Sequence, residues 1–341
     1  MRILVIQLRA IGDVLCATPV VSYLKQVLPD ASVDFLVEPV SRSLIETHPG
    51  LNEVLVYDKT RGWNEIKRVR SKRYDAVLDF MNNPRTAYLT AFSGARWRVG
   101  FRRSVRTLAY NVPVSVPEEP EYVPKRRIRM ADAWLSGMGI SSQTPATVRP
   151  ALHLSEEDEQ HADQWIKKEN LEGKKFVVLM PVHKHAICRW RPEGFRSVGL
   201  NLAQSGYRVY VAWGPGEETL AQEIRAGHEN VLLPRPPDDL RKFAAVLKRS
   251  ALLLANNSGS MHLAVSVGTP TVTIYGPTRA IDWNPSLAKE ADNGNDLVVE
   301  AADVACLGCR LKDCPVGHLC MTHLDERTVL NACRTLLNRV R

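Results

Sequence analysis

No run in the chain approaches the eighteen or more uncharged apolar residues that a membrane-spanning helix requires. The first residues pass directly into a strand pattern instead of a basic and apolar leader, so a cytoplasmic location is expected. The three-glycine turn of a dinucleotide-binding fold is also missing. The first strand-to-helix turn, Arg9-Ala10-Ile11-Gly12-Asp13, carries one glycine, which disfavours a nicotinamide dehydrogenase. No recognised nucleic-acid module is present, and no close internal repeat marks a solenoid. Cysteine is sparse outside one place. Cys16, Cys188 and Cys333 are scattered, whereas Cys306, Cys309, Cys314 and Cys320 fall in a C-x2-C-x4-C-x5-C pattern with His318 and His323 interleaved. A reducing compartment disfavours disulfides, which leaves a structural zinc held by those four thiols or a reduced loop.

What the chain does have is length for two ordinary domains, 341 residues, and a charge that is unevenly placed. From Met1 to Pro150 there are 22 Lys and Arg against 14 Asp and Glu, while Ala151 to Arg341 holds 23 against 23, so the net +8 lies in the first half. A basic half beside a neutral half suggests an anionic partner for the first: a membrane surface, an acidic glycan or a nucleic acid. The alternative is a generally basic solvated surface. The excess is concentrated in Arg96, Arg98, Arg102, Arg103 and Arg106, interleaved with Trp97 and Phe101, and in Lys125, Arg126, Arg127 and Arg129.

Hydropathy alternates between strand-like and helix-like segments. Arg2 to Leu8 is a nearly continuous β-branched and apolar run, as expected of a strand buried on both faces, and a helical pattern follows from Val14. Further strands are predicted at Ser32 to Val37, Glu53 to Tyr57 and Asp75 to Phe80. After an acid-rich helix start at Ser155 the alternation restarts, with strands at Phe176 to Met180, Tyr207 to Trp213, Val231, Ala251 to Ala255 and Thr271 to Tyr275. The expected fold is therefore α/β, two doubly wound units in tandem, over residues 1–150 and 151–324. The tail 325–341 is a helix that could pack across the domains.

Four strand ends carry chemistry. Asp13 closes the first strand-to-helix turn, where open α/β sheets place their ligands, and is a candidate catalytic base; a helix-capping carboxylate is the plainer reading. Asn257, Ser258, Gly259 and His262 lie at a strand-to-helix turn whose free N–H groups and dipole suit a phosphate. Lys184 and Arg189 lie in a cationic loop after the strand ending at Met180. Glu217 and Glu218 follow the strand ending at Trp213, a place where a carboxylate holds ribose hydroxyls.

Together ILVIQLRAIGDVLCATPVV, RWRPEGF, NNSGSMHLAVSVGTPTVTIYGPT with Trp283-Asn284-Pro285, and CLGCRLKDCPVGHLCM resemble, in that order, glycosyltransferase family 9, the bacterial heptosyltransferases of the lipopolysaccharide inner core. The resemblance implies a GT-B type fold, two Rossmann-like domains facing a cleft, with the acceptor on the first and the nucleotide sugar on the second. It implies inverting transfer from ADP-heptose with no cofactor and no required metal, by a protein in peripheral contact with the inner face of the bacterial inner membrane. Asp13 matches the family's general base. Ser258, Gly259 and His262 match the diphosphate loop, and Glu217 or Glu218 the ribose contact. Arg96, Arg98, Arg102, Arg103 and Arg106 would hold an anionic lipid-linked glycan. Cys188 and Asn257 depart from the pattern, standing where the family often has Lys and Asp. They keep open another hexose for a different surface glycan, and the fold alone leaves a non-catalytic nucleotide-binding protein as a further alternative.

Overall fold

The computed structural model describes the chain apart from Arg103, Thr144, Ala146, Thr147, Ala226, Pro236, Asp238, residues 289–293, Val340 and Arg341, and at Ser104 the backbone alone. It divides into two compact units, Met1–His153 and Leu154–Arg341. The boundary lies shortly beyond Pro150, and the tail belongs to the second unit.

In the first unit the strands are β1 (Arg2–Ile6), β2 (Ser32–Val37), β3 (Glu53–Val56), β4 (Ala76–Asp79), β5 (Trp97–Phe101) and β6 (Val112–Val114). Its helices are α1 (Ile11–Leu15), α2 (Thr18–Val27), α3 (Trp63–Ser71), α4 (Pro84–Ala91) and α5 (Val123–Gly137). The second unit has α6 (Glu156–Lys168), β7 (Phe176–Met180), α7 (Pro192–Gln204), β8 (Arg208–Val211), α8 (Glu218–Arg225), β9 (Val231–Leu232) and α9 (Leu240–Arg249). It continues with β10 (Leu252–Asn256), α10 (Gly259–Ser266), β11 (Thr271–Ile274), α11 (Ala280–Trp283), β12 (Asp296–Val299), α12 (Leu319–Thr322) and α13 (Glu326–Arg339).

Among the described residues these strands form two parallel sheets, β3-β2-β1-β4-β5-β6 and β12-β11-β10-β7-β8-β9. Numbered within each unit, both read 3-2-1-4-5-6, the doubly wound order, so the duplication is one of architecture without a sequence repeat. Chain direction across the sheet reverses between β1 and β4 in the first unit and between β7 and β10 in the second. The central strands are apolar along their length because helices cover both faces. Ile3, Leu4, Val5 and Ile6 are fully buried, as are Leu252, Leu253, Leu254 and Ala255.

Three strands were hidden from pattern reading: β5, β6 and β12, the last a four-residue run that pairs with β11. β5 carries Trp97, Arg98, Val99, Gly100 and Phe101, and its arginine made it look like part of a charge cluster, yet it pairs with both β4 and β6. β6 contains Pro113, which cannot donate to a ladder. It is tolerated because β6 is the sheet edge. The acid-rich start of α6 closes as a capping box, Ser155 Oγ accepting from Asp158 N at 3.3 Å and Asp158 Oδ2 accepting from Ser155 N at 2.8 Å. Within the second unit α13 packs on α7 and on β10, β11 and β12, burying Val329, Cys333, Leu336 and Leu337. Among the described residues no helix is long and apolar enough to cross a membrane.

Candidate active site

In the first unit, the turn after β1 and the turn after β4 stand side by side at the point where strand order reverses. Asp13 lies in α1, with its side chain one-third exposed. Its partner comes from far along the chain. Arg127, on the buried face of α5, donates from Nη2 to Asp13 Oδ1 at 2.8 Å and from Nη1 to the Asp13 main-chain carbonyl. The same Nη2 reaches Gln7 Oε1 at 3.0 Å, and the guanidinium carbon lies 5.6 Å from the centre of the Phe80 ring. Arg127 is 5% exposed at its side chain, so it belongs to the site and not to the solvated basic cluster in which its neighbours place it. Arg126 and Arg129 are instead spent on the Glu121 carbonyl and carboxylate.

The arginines between Arg96 and Arg106 divide. Arg98 is structural, donating its backbone N–H to Asn111 Oδ1, Nε to the Ala109 carbonyl and Nη1 to the Ala95 carbonyl. Arg96 is exposed and lies over the Trp97 ring at 5.0 Å, and Arg102 is exposed at the end of β5. Arg103 lies outside the described residues. Arg106 is half-buried, its Nε without a hydrogen-bond partner, close enough to act electrostatically on Tyr110. Tyr110 in turn donates to Asp79 Oδ2 at 2.8 Å. Asp79 ends β4 and accepts from Met81 N and Asn82 N at 3.0 Å each. Burial pushes its carboxyl up to about 6, against the pull of those donors. Gly100 makes this possible, because a Cβ there would come within 2.5 Å of the Tyr110 ring.

In the second unit, the loops after β7, β8, β10 and β11 open on one sheet edge. Asn256, fully buried at the end of β10, is the pin: its Oδ1 accepts from Trp190 N at 2.9 Å and its Nδ2 donates to the Pro181 carbonyl at 2.6 Å. This fixes both ends of the cationic loop against the start of α10. Asn257 donates to Thr278 Oγ1 at 2.8 Å, tying that start to the Gly276-Pro277-Thr278 turn. Ser258 occupies the N-cap position without capping. Its hydroxyl bonds Ser260 Oγ at 2.7 Å, so the helix's first N–H groups are not taken by its own cap. Gly259 opens α10. His262, one turn on, is buried with its ring edge-on to Trp283 at 5.6 Å.

Arg189 donates Nε to the His183 carbonyl at 2.7 Å, and its Nη2 stands 3.9 Å from Glu217 Oε1. Burial holds the His183 imidazole below its ordinary value. Lys184 is exposed. The two glutamates after β8 separate cleanly. Glu217 turns inward, Oε2 accepting from Gly214 N at 3.1 Å, whereas Glu218 is exposed on α8 and takes a 3.2 Å bond from Gln222. Cys188 is buried, which pushes its thiol up to about 11 and leaves the positive charge of the loop to Arg189 and Lys184.

The cysteine-rich segment gathers its thiols near one another, Cys306, Cys309 and Cys314 all lying close enough to act electrostatically on Cys320. All the cysteines are free, and among the described residues no three His, Cys, Asp or Glu side chains converge as a metal site. Gly308 N donates to the Gly276 carbonyl at 2.8 Å and Arg310 N to the Pro277 carbonyl at 2.7 Å. The segment buttresses the turn after β11.

The family model described as glycosyltransferase family 9 (heptosyltransferase) matches residues 63–315. The chain belongs to that family. This family 9 member is 24% identical over 294 residues to the lipopolysaccharide core heptosyltransferase OpsX of Haemophilus influenzae, covering 82% of this chain and 81% of that protein. Its fold is shared with a glycosyltransferase family 9 protein from Veillonella parvula, at a TM-score of 0.82 and 21% identity over 99% of this chain and 97% of the other. It is shared equally with the Escherichia coli ADP-heptose lps heptosyltransferase II, at a TM-score of 0.80 and 22% identity over 100% and 99%. Sequence reasoning found the family. It missed Arg127 and Asn256, whose partners lie far away in sequence, and Asp79, whose partner Tyr110 lies 31 positions on. A signal existed for Asn256, an amide closing an apolar strand, but none for the other two.

Proposed function

We propose that this family 9 glycosyltransferase moves heptose from ADP-heptose to the inner core of lipopolysaccharide with inversion at the anomeric carbon. The observation that carries the reading is the Asn257 to His262 turn, pinned at the reversal point of the second sheet beside Arg189 and Glu217. It combines a helix N-terminus for a diphosphate with a carboxylate placed for ribose. Asp13, through Oδ2, takes the proton of the acceptor hydroxyl as that oxygen attacks the anomeric carbon; the bond to the diphosphate breaks and ADP leaves. The α10 N-terminus, Ser258, Gly259 and His262, with Lys184 and Arg189, receives the charge of the departing diphosphate. Helix dipole and cations supply this stabilisation, so the proposed transfer needs neither a metal nor a cofactor. Arg96, Arg102 and Arg106 meet the anionic, lipid-linked acceptor, and the protein works at the cytoplasmic face of the inner membrane.

The test is turnover of ADP-heptose with a delipidated inner-core acceptor. ADP release that depends on acceptor supports the reading, and donor specificity for another hexose refutes it. That second donor is favoured by Asn257, whose amide is engaged by Thr278 where the family often has a carboxylate.

A further inference from the structure

The basic side of the first unit has a feature that electrostatics does not explain. Three neighbouring elements leave large apolar side chains in water: Trp63 on α3 (66% exposed), Tyr88 and Phe92 on and just beyond α4 (64% and 43%), and Val105 and Leu108 on the tight turn Ser104–Ala109 (80% and 89%). They are connected. The Trp63 and Phe92 rings meet edge to face at 5.6 Å, and α4 packs against both α3 and the turn. Tyr88 and Phe92 are four residues apart, hence on one side of the helix, and Val105 and Leu108 are three apart in a 3-10 turn, hence eclipsed. Burying such side chains is favourable, so a connected group left exposed marks a surface that something else covers.

The charge around it says what. From Arg61 to Arg106 there are 12 Lys and Arg against Glu65, Asp75 and Asp79. Glu65 and Asp79 are buried, and Asp75 accepts the Arg2 backbone N–H at 2.7 Å, whereas Arg70, Arg85, Arg96 and Arg102 are exposed. A second copy of this chain would bring the same positive face against itself. Aromatic rings and aliphatic tips ringed by guanidinium groups match the boundary of an anionic bilayer, where rings sit at headgroup level and arginines bind phosphates.

We infer that Trp63, Tyr88, Phe92, Val105 and Leu108 form the surface by which the protein seats on an anionic lipid bilayer. The inference deepens the proposed function, because it rests on the acceptor being lipid-linked. The experiment is flotation of the full chain, without substrates, with phosphatidylglycerol-containing vesicles and with phosphatidylcholine vesicles. Wild type is expected to float with the anionic vesicles and weakly with the neutral ones. Trp63→Ser/Tyr88→Ser and Val105→Ser/Leu108→Ser should each reduce partitioning by at least about tenfold at unchanged thermal midpoint. Trp63→Ser/Tyr88→Ser should transfer sugar to a delipidated acceptor at the wild-type rate. Failure of wild type to bind anionic vesicles, or undiminished binding by both variants, overturns the surface, as does a wild-type dimer that Trp63→Ser/Tyr88→Ser makes monomeric. Vesicle binding without any sugar transfer keeps the surface and overturns the proposed function instead.

Discussion

Arg127 reaches Asp13 twice, at Oδ1 and at the main-chain carbonyl, and leaves Oδ2 as the carboxylate oxygen not used among the described residues. The two bonds fix the carboxylate and aim its second oxygen. Loss of general-base assistance typically costs about 10²–10⁴-fold, so Asp13→Asn is expected to lower kcat within that range while calorimetry shows unchanged ADP affinity. Turnover close to wild type in that variant would remove Asp13 from the mechanism. Arg127→Lys keeps the charge but loses the two-pronged geometry. It should lower kcat more than it raises KM.

On the second unit the two glutamates should behave differently. Glu217 faces Arg189 and Gly214 N, and Glu218 faces solvent, so Glu217→Gln is predicted to weaken ADP binding about tenfold and Glu218→Gln to leave it unchanged. Ser258→Ala with His262→Ala should also weaken ADP binding by calorimetry. Equal affinities across all of these variants would move the nucleotide away from this sheet edge.

Gly194 opens α7 against the Trp190 ring, where a Cβ would lie 2.4 Å from the indole. The ring cannot yield easily, because Trp190 Nε1 donates to the Leu324 carbonyl at 3.3 Å and its backbone N–H holds Asn256. Gly194→Ala is expected to cost about 1–3 kcal/mol in denaturant unfolding and to weaken ADP binding, since Asn256 positions the diphosphate turn. A variant with wild-type stability would show that the contact relaxes without cost.

Two buried groups of the first unit oppose one another as pH changes. Asp79 is raised by burial from its ordinary 3.8 to about 6, so its contribution to stability is full below pH 3.8 and is lost as pH rises through about 6. His48 is lowered from 6.5 to about 4, by burial first and by His153 next, so its contribution is full above pH 6.5 and is lost as pH falls through about 4. Each change is about 3 kcal/mol at 1.36 kcal/mol per pKa unit, so the two nearly cancel in the wild type. Melting from pH 4 to 7 should show the advantage of wild type over Asp79→Asn shrinking as pH rises, and that over His48→Asn growing. Parallel slopes for the two pairs would contradict both assignments.

Strand and helix order was legible because it is written in local apolar periodicity. β7, β10 and β11 are short buried runs that end at or near Pro181, Asn256 and Gly276, and the candidate turns follow those ends directly. Where a strand carried an arginine or a proline, as β5 and β6 do, periodicity failed, because pairing with a neighbouring strand supplied what local pattern did not. The cysteine-rich segment also holds the turn after β11 through backbone N–H groups, which any residue can provide, so no local pattern announced that contact.

The sequence by itself therefore determined the α/β class, the family and the strand-end loops, since all three depend on neighbours a few residues apart. The tertiary structure decided which charges act. It drew Arg127 out of a basic cluster to Asp13 across 114 positions, turned Glu217 inward and Glu218 outward, and buried Asp79 beneath Tyr110. Those choices follow from which face of a helix meets the sheet, and that is settled only when the whole core packs.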